Sequence, residues 1–471
     1  MSKAAAFLFT SLALAAPARA DRYSVHGTAS VDAAATDNVF SAETSSANRE
    51  GDLFFTVRPG ALFTYAEPRM IHELSAELEL MRYAVHSDQP TIAFRGGWKA
   101  LFLPGPRSEV VVTANASKSL LSAISASTSP AETMVQLQPL QPISQVTVLQ
   151  GDAGEYLSYT ATREIRLSQT LFARAGKTDD NATPRTLVTS AEAGAAFGID
   201  RTWRKDVVSL EAGASVLRLE RKTGPGVPMG PRLDRQVDPR ARVQWRHDLT
   251  RSLSSAVDGG LAIVLPFGID PYHPDIKRHT GAFPIVGGQL AWIGVWGIAT
   301  LSVRRDVTPN LFIAANTVND TASIAAAVPL YWFEDSRRAQ PKLAGVGSFG
   351  LQRTQLIEEQ TSNLQSSFIV GRVDAGLQYA PRPGVTYTAR YELLYQTADR
   401  APALGMPIPG FVRNTLYLTA AVRFPADVAV RVPKRRTGSV RADRKDLAPV
   451  GAEPVIPDLV ESGSEGGGGE Q

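Results

Sequence analysis

The sequence contains no cysteine. This absence excludes disulfide bonds, thiolate zinc sites and a cysteine nucleophile. Excess charge of one sign is also scarce, because 49 lysines and arginines nearly balance 46 aspartates and glutamates and leave a net charge of +3. So small a net charge on 471 residues gives no reason to expect a nucleic-acid partner.

Long hydrophobic runs are missing from all but the N-terminus. There, Lys3 precedes an apolar stretch over residues 4–16, and Ala18 and Ala20 supply small residues. This order is typical of a secretory signal peptide, which we predict over residues 1–20. No later stretch reaches the roughly 18 apolar residues of a membrane-spanning helix, so we expect none.

Hydrophobic alternation with a period of two is what the sequence has in abundance. In the stretch 208–216, for example, Leu210 and Ala212 share one face, and Ser209 and Glu211 share the other. Such segments predict strands whose two faces meet different environments. Their length of about 10–14 residues suits a tilted crossing of a bilayer, and charges in mid-strand suit a wet lumen better than a dry core. We therefore predict an all-β, antiparallel transmembrane β-barrel of about 18 strands over residues 21–424, with 16 strands as the alternative.

The connections between the predicted strands alternate between long and tight. The longest is Leu120–Asp152, whereas Arg163–Glu164 is a tight turn, and the rhythm weakens near Thr308–Asn319. Bacterial outer-membrane barrels show this asymmetry, with long loops outside and short turns in the periplasm. The Leu120–Asp152 segment is poor in charge, so we interpret it as a candidate gate or plug rather than an electrostatic filter.

The last predicted strand ends with apolar residues at alternate positions, as in the signal that the barrel-assembly machinery reads: Leu418, Ala420, Val422 and Phe424. That signal normally ends the chain, but here a tail of residues 425–471 follows. The tail is basic at first and then rich in Pro, Glu and Gly, so we predict a disordered periplasmic extension. A docking segment for a periplasmic partner is the alternative.

The polar faces of the predicted strands carry charge of both signs. We predict that the following side chains line the lumen: Arg240, Arg242, Arg246, Arg372, Asp374, Arg390, Glu392, Glu73, Glu77 and Glu79. In one interpretation these ions neutralise one another and brace the wall. In the other, the three arginines between residues 240 and 246 guide an anionic solute.

Catalytic fingerprints are missing. We find no G-x-S-x-G, H-E-x-x-H, P-loop or dinucleotide-binding motif, so we predict neither an enzyme nor a cofactor. His273, Asp275 and His279 cluster loosely in one loop, but their spacing is not that of ligands on a helix or hairpin, so we predict no metal site.

Three short segments resemble a family of large Gram-negative outer-membrane barrels: Ala35-Thr36-Asp37-Asn38-Val39-Phe40, Pro309-Asn310-Leu311-Phe312 and Val318-Asn319-Asp320-Thr321. Some members have roughly 18 strands and belong to polysaccharide secretion systems of the Wzx/Wzy type. The resemblance implies a barrel that completes the path of a capsule-like polysaccharide. It also implies a partner, a periplasmic polysaccharide-export protein without a membrane-spanning part of its own.

Three functions therefore stay open for a barrel embedded in outer-membrane lipid. The first is a conduit for a secreted polysaccharide, and the second is a general diffusion porin for small solutes. The third is a structural or adhesive surface protein whose long loops are the active part. Fold alone does not decide among them.

Overall fold

A computed structural model describes residues 23–38, 50–85, 91–120, 146–180, 186–223, 231–275, 279–294, 296–310, 315–331, 342–357, 364–382, 384–397 and 410–424. These residues form 18 strands of one sheet. The strands are β1 Tyr23–Thr36, β2 Asp52–Glu67, β3 Met70–Tyr83, β4 Thr91–Gly105, β5 Ser108–Leu120, β6 Val146–Thr160, β7 Ile165–Asp180, β8 Thr186–Trp203, β9 Asp206–Thr223, β10 Arg232–Asp248, β11 Leu253–Pro266, β12 Gly281–Gly294, β13 Gly297–Asn310, β14 Ala315–Tyr331, β15 Leu343–Ile357, β16 Leu364–Arg382, β17 Val385–Gln396 and β18 Phe411–Phe424.

The sheet closes on itself. Every strand pairs antiparallel with its neighbours in sequence, and β1 pairs with β18 from Gly27↔Phe424 to Thr36↔Thr415. The predicted antiparallel barrel is thus confirmed, with 18 strands rather than 16. Among the described residues, no helix is long and apolar enough to cross a membrane.

Alternation along each strand separates an outer from an inner face. On β1, Val31 is 44% exposed on the outside, whereas the adjacent Asp32 is 4% exposed on the inside. The same alternation puts Leu210 outside and Glu211 inside on β9. Large apolar side chains therefore cover the exterior, and most charged ones point inward.

The two ends of the barrel differ. One end, which we call the short-turn end, holds connections such as Glu67–Met70 and Trp203–Asp206. The opposite, long-loop end holds the connection between β5 and β6, whose residues 121–145 lie outside the described residues.

The barrel has longer strands than the sequence predicted: β6 already begins at Val146, and most of the predicted Thr308–Asn319 connection belongs to β13 and β14. The predicted signal peptide and tail also lie outside the described residues.

Strand β18 ends at Phe424, where the sequence predicted the assembly signal to end. Leu418, Val422 and Phe424 are 55%, 48% and 59% exposed on the outer face, and Ala420 shares that face by alternation. The signal itself stays a prediction.

Side-chain hydrogen bonds reinforce the closure seam between β1 and β18 at the long-loop end. The Asn414 backbone N–H donates to Asp37 Oδ1 at 2.8 Å, and Asn414 Nδ2 donates to Asp37 Oδ2 at 2.7 Å. Next to them, Asn38 Nδ2 donates to the Val412 carbonyl oxygen at 3.1 Å. The adjacent residues Asp37 and Asn38 therefore join the end of β1 to the start of β18 by side-chain hydrogen bonds.

We expect Asp37→Ala to lower the free energy of unfolding by about 2 kcal/mol, because it removes two hydrogen bonds to a charged group. Urea titration of the folded barrel in lipid vesicles measures this loss. Asp152→Ala is the matched control, since Asp152 accepts one bond from Asn115 Nδ2 at 2.8 Å between strands with full ladders. Equal losses in the two variants would show that the seam depends on the ladder alone.

Candidate functional site

The inner face of the barrel is the candidate functional site. All of the charged residues that the sequence assigned to the lumen share the inner face of their strands: Glu73, Glu77, Glu79, Arg240, Arg242, Arg246, Arg372, Asp374, Arg390 and Glu392. The structure divides them into separate groups. Strand β10 is nine positions from β1 in the ring of 18, so its arginines lie on the opposite side of the barrel from the closure seam.

One group, the β16–β18 charge cluster, consists of Arg372, Asp374, Arg390, Glu392 and Arg413. Arg372 bridges two carboxylates, with Nε 2.7 Å from Asp374 Oδ2 and Nη2 2.6 Å from Glu392 Oε2. Arg413 Nη2 lies 3.5 Å from Glu392 Oε1, and Arg390 Nε lies 3.8 Å from Asp374 Oδ1. The cluster is almost entirely buried, so mutual neutralisation is what makes these charges tolerable.

A second group, the β1–β3 charge cluster, continues across the seam. Arg58 forms an ion pair with Asp32 on β1, and its Nε donates to Glu79 Oε2 on β3 at 2.6 Å. All three side chains are buried. Arg58 was missed at the sequence level, because it is surrounded by apolar residues and stands before Pro59, where the alternation is hard to follow.

Among the β10 arginines, Arg242 meets carboxylates on both neighbouring strands. Arg242 lies 3.8 Å from Glu211 on β9 and 3.7 Å from Asp258 on β11. Arg240 forms no ion pair within the part of the chain that the structure describes. This layer is less buried than the seam clusters, with the Glu211 side chain 37% exposed. It is therefore a better place for a solute to meet charge.

The inner face also carries a set of buried apolar residues that the sequence did not predict, which we call the apolar collar. Its members are buried inner-face residues in the half of each strand nearer the long-loop end, among them Ala34, Phe54, Met81, Tyr83, Val188, Leu219, Ala262, Val264, Phe283, Ile285, Phe368, Val370, Leu394, Phe411 and Tyr417. Phe54 packs on Tyr83 and Tyr417, with ring centroids 5.7 and 6.1 Å apart. The lumen is thus closely packed at this level, where these apolar side chains stand among buried polar ones such as Asp52, Gln236 and Thr415.

Part of this collar is covered by the ends of β13 and β14, which separate from β12 while β14 stays paired with β15 as far as Thr317↔Leu356. The β12–β13 ladder stops at Val286↔Arg305, although β12 continues to Gly281 and β13 to Asn310. The β13–β14 ladder itself continues without a shift to Asn310↔Ala315. We call residues 306–310 and 315–319 the inserted hairpin.

Contacts show that the inserted hairpin lies inside the barrel. Val307 and Val318 have the outer-face parity of their strands, yet they pack against the inner-face residues Phe283 and Ile285 of β12. An outer face can contact an inner face only where one layer lies inside the other. Farther along, Asn316 Nδ2 donates a hydrogen bond to Gln236 Oε1 on β10, four strands away.

A network of amides and hydroxyls braces the opposite face of the hairpin against β15. Asn319 Nδ2 donates to Thr308 Oγ1 at 2.6 Å and to Thr317 Oγ1 at 3.1 Å. Asn319 Oδ1 accepts from Gln352 Nε2 at 3.0 Å and from Thr354 Oγ1 at 2.8 Å. The network uses the full hydrogen-bonding capacity of Asn319, so it holds the hairpin in one position.

The loop histidines show no metal geometry. His273 Nδ1 lies 3.3 Å from Asp270 Oδ2, and the described residues contain no group of three or more His, Cys, Asp or Glu side chains able to hold a metal ion.

No protein-family model and no characterised protein matches the sequence. Several solved barrels match in fold. The alcaligin outer-membrane receptor FauA from Bordetella pertussis is 11% identical, with a TM-score of 0.43 over 84% of this chain and 76% of that one. OccAB3 from Acinetobacter baumannii is 10% identical, with a TM-score of 0.42 over 86% of this chain and all (100%) of that one. OpdK from Pseudomonas aeruginosa, solved with vanillate, is 9% identical, with a TM-score of 0.42 over 85% of this chain and 99% of that one. These likenesses assign no solute to this chain.

We expect Arg58→Met to cost about 3–5 kcal/mol of unfolding free energy, because it leaves two buried carboxylates without their counter-ion. The triple variant Arg58→Met, Asp32→Asn, Glu79→Gln should regain most of that loss. Arg218→Met is the control, since the exposed Arg218 pairs with Glu220 at 3.0 Å and should cost less than about 1 kcal/mol. A loss at Arg58 no larger than at Arg218 would contradict this account of the cluster.

Proposed function

We propose that this chain is an outer-membrane β-barrel that conducts polar solutes across the membrane, as a diffusion porin does. The observation that carries the proposal is the closed barrel with an apolar exterior and a charged interior. A barrel has no free edge, so its backbone needs no water on the lipid side. Within the described strands, charge on the outer face away from the strand ends is sparse, and it includes Glu155, Arg353 and the Arg305–Asp320 ion pair.

Aromatic side chains at the short-turn end support a membrane setting. His72 and Trp98 stack with ring centroids 6.1 Å apart on the outer face. Elsewhere around the same end, Trp245 Nε1 donates to Asp206 Oδ1 at 2.9 Å, and the Arg201 guanidinium lies 4.5 Å above the Trp203 ring. Amphipathic rings of this kind favour the boundary between lipid and water.

The asymmetry of the connections supports an orientation. Short turns face the periplasm and long loops face outward in bacterial barrels. In this proposal both chain termini emerge at the short-turn end, and the tail of residues 425–471 lies in the periplasm. There it is available to a periplasmic partner, while the β18 segment up to Phe424 serves the assembly machinery. The proposal assigns no catalytic reaction and no cofactor to the chain.

Export of a polysaccharide is the second candidate function. The observation that favours it is the location of the segments that resemble polysaccharide-secretion barrels. Asp37 and Asn38 hydrogen bond across the closure seam, whereas Pro309–Asn310 and Val318–Asn319 belong to the inserted hairpin. Motifs at such positions fit a shared barrel design, and a periplasmic polysaccharide-export protein would then be the partner of the tail.

Reconstitution separates these functions. A diffusion porin should give stepwise conductance in planar bilayers and admit small sugars in liposome-swelling assays. Deletion in the native host should then reduce small-solute uptake and leave surface and secreted polysaccharide unchanged. Loss of polysaccharide with unchanged uptake would favour the second candidate. A barrel without conductance or either phenotype would support a structural surface protein instead.

The lipid setting has its own test in a pair of adjacent residues. We expect Leu210→Arg to lower the unfolding free energy in lipid vesicles by about 2–4 kcal/mol, because Leu210 faces the proposed bilayer. Ser209→Arg, one residue away on the inner face, should have little effect. Equal effects of the two substitutions would mean that the outer face is not in lipid.

Charge in the lumen should show in ion selectivity. Glu211→Gln removes a half-exposed carboxylate beside Arg242, so we expect anions to gain over cations by roughly five-fold at most, the effect of about 1 kcal/mol. The reversal potential in a salt gradient measures the ratio. Glu164→Gln, at an exposed turn, is the control, and an unchanged potential for Glu211→Gln would place that layer outside the ion path.

A further inference from the structure

The inserted hairpin occupies space that an 18-stranded barrel would otherwise leave as channel. Sheets that pack face to face lie about 10 Å apart. Because Val307 and Val318 pack on the inner face of β12, the hairpin forms a second layer within the wall. Such a layer narrows the lumen from one side at the level of the apolar collar.

The hairpin is anchored on three sides. Val307 and Val318 bury apolar surface against β11 and β12, and Ile357 of β15 packs against the same cluster. Asn316 reaches Gln236 on β10, and Asn319 ties the opposite face to β15. The β14–β15 ladder, which continues to Thr317↔Leu356, adds backbone hydrogen bonds to these contacts. An element held in this way is fixed against the wall, unlike a loop that folds in and out.

The face that the hairpin turns to the lumen is neutral at its tip. Thr308, Thr317 and Asn319 share this face and hydrogen bond to one another, but Thr317 is fully buried, so Thr308 and Asn319 are the two that reach the lumen. The first charged residues lie closer to the short-turn end, where Arg304 Nη2 pairs with Asp306 Oδ2 at 3.4 Å. Steric restriction and charge are therefore supplied by different layers.

We propose that the inserted hairpin is the size-selecting constriction of this barrel. It sets the largest polar solute that passes, and the Arg242–Glu211–Asp258 layer below it sets the ion preference. The inference rests on the proposed conduit function and adds the element that determines its cut-off.

A release variant tests the constriction. Val307→Ser together with Val318→Ser weakens the apolar contact with β12, and it should raise single-channel conductance and admit larger sugars in liposome swelling. The anion-to-cation permeability ratio should stay at its wild-type value, because no charge changes. The matched control, Val303→Ser with Ile324→Ser, alters the outer face of the same two strands and should leave conductance unchanged.

A locking variant tests the position of the hairpin directly. The chain has no native cysteine, so Asn316→Cys with Gln236→Cys gives a clean pair for a short, reducible bis-thiosulfonate cross-linker. We expect efficient cross-linking, and in the release background it should restore wild-type conductance until a reductant is added. Asn316→Cys with Arg246→Cys, farther down β10, should not cross-link.

The outcomes separate the two proposals. Unchanged conductance and size cut-off in the release variant, with normal conductance in the wild type, would overturn the constriction and leave the conduit intact. A wild-type barrel that conducts nothing would overturn the conduit. Failure of the Asn316–Gln236 pair to cross-link would overturn the hairpin placement whether or not the barrel conducts.

Discussion

Backbone hydrogen bonding is the constraint on which the rest of this barrel depends. Each strand of a sheet has two edges, and an edge that faces lipid finds no water to replace a missing partner. The pairing of β1 with β18 removes the last pair of edges. It brings together residues nearly 400 positions apart in sequence, such as Asp37 and Asn414, at a separation |i−j| of 377.

The interior follows from the same closure. Once the apolar faces are turned outward, the alternate faces must crowd into an enclosed space, and charges there lose much of their water. The structure meets this cost by placing opposite charges on adjacent strands, as Arg372 does with Asp374 and Glu392, and Arg58 with Asp32 and Glu79. These two clusters flank the seam, so buried ion pairs stand on both sides of the place where the chain closes.

The inserted hairpin is an exception to the closed ladder, with a physical rationale of its own. Beyond Val286↔Arg305, strands β12 and β13 give up their mutual hydrogen bonds. In return, Val307 and Val318 exchange an outward position for apolar contacts with Phe283 and Ile285. Pro284 on β12 suits an edge, since proline has no N–H to donate to a ladder. The apolar collar gives the hairpin a surface on which to pack.

Much of the fold could be predicted from the sequence, because alternation is local. Whether Leu210 and Glu211 share a face depends only on the extended backbone between them, so the strands, their faces and the strand number of the barrel could be anticipated. The charged inner faces of β3, β10, β16 and β17 followed from the same rule. Tight turns and long connections likewise indicated the two ends of the barrel.

The candidate site depended on tertiary structure. Alternation alone puts Val307 and Val318 on the outer face of their strands, and they keep that parity. Only the separation of β13 from β12 shows that the inner face of β12 covers them. The contact of Asn316 with Gln236 and the apolar character of the collar likewise arise between strands distant in sequence. The sequence by itself determined the face on which each side chain lies, since that is a property of one strand. What covers the face was decided by pairing and layering among many strands, which no local pattern records.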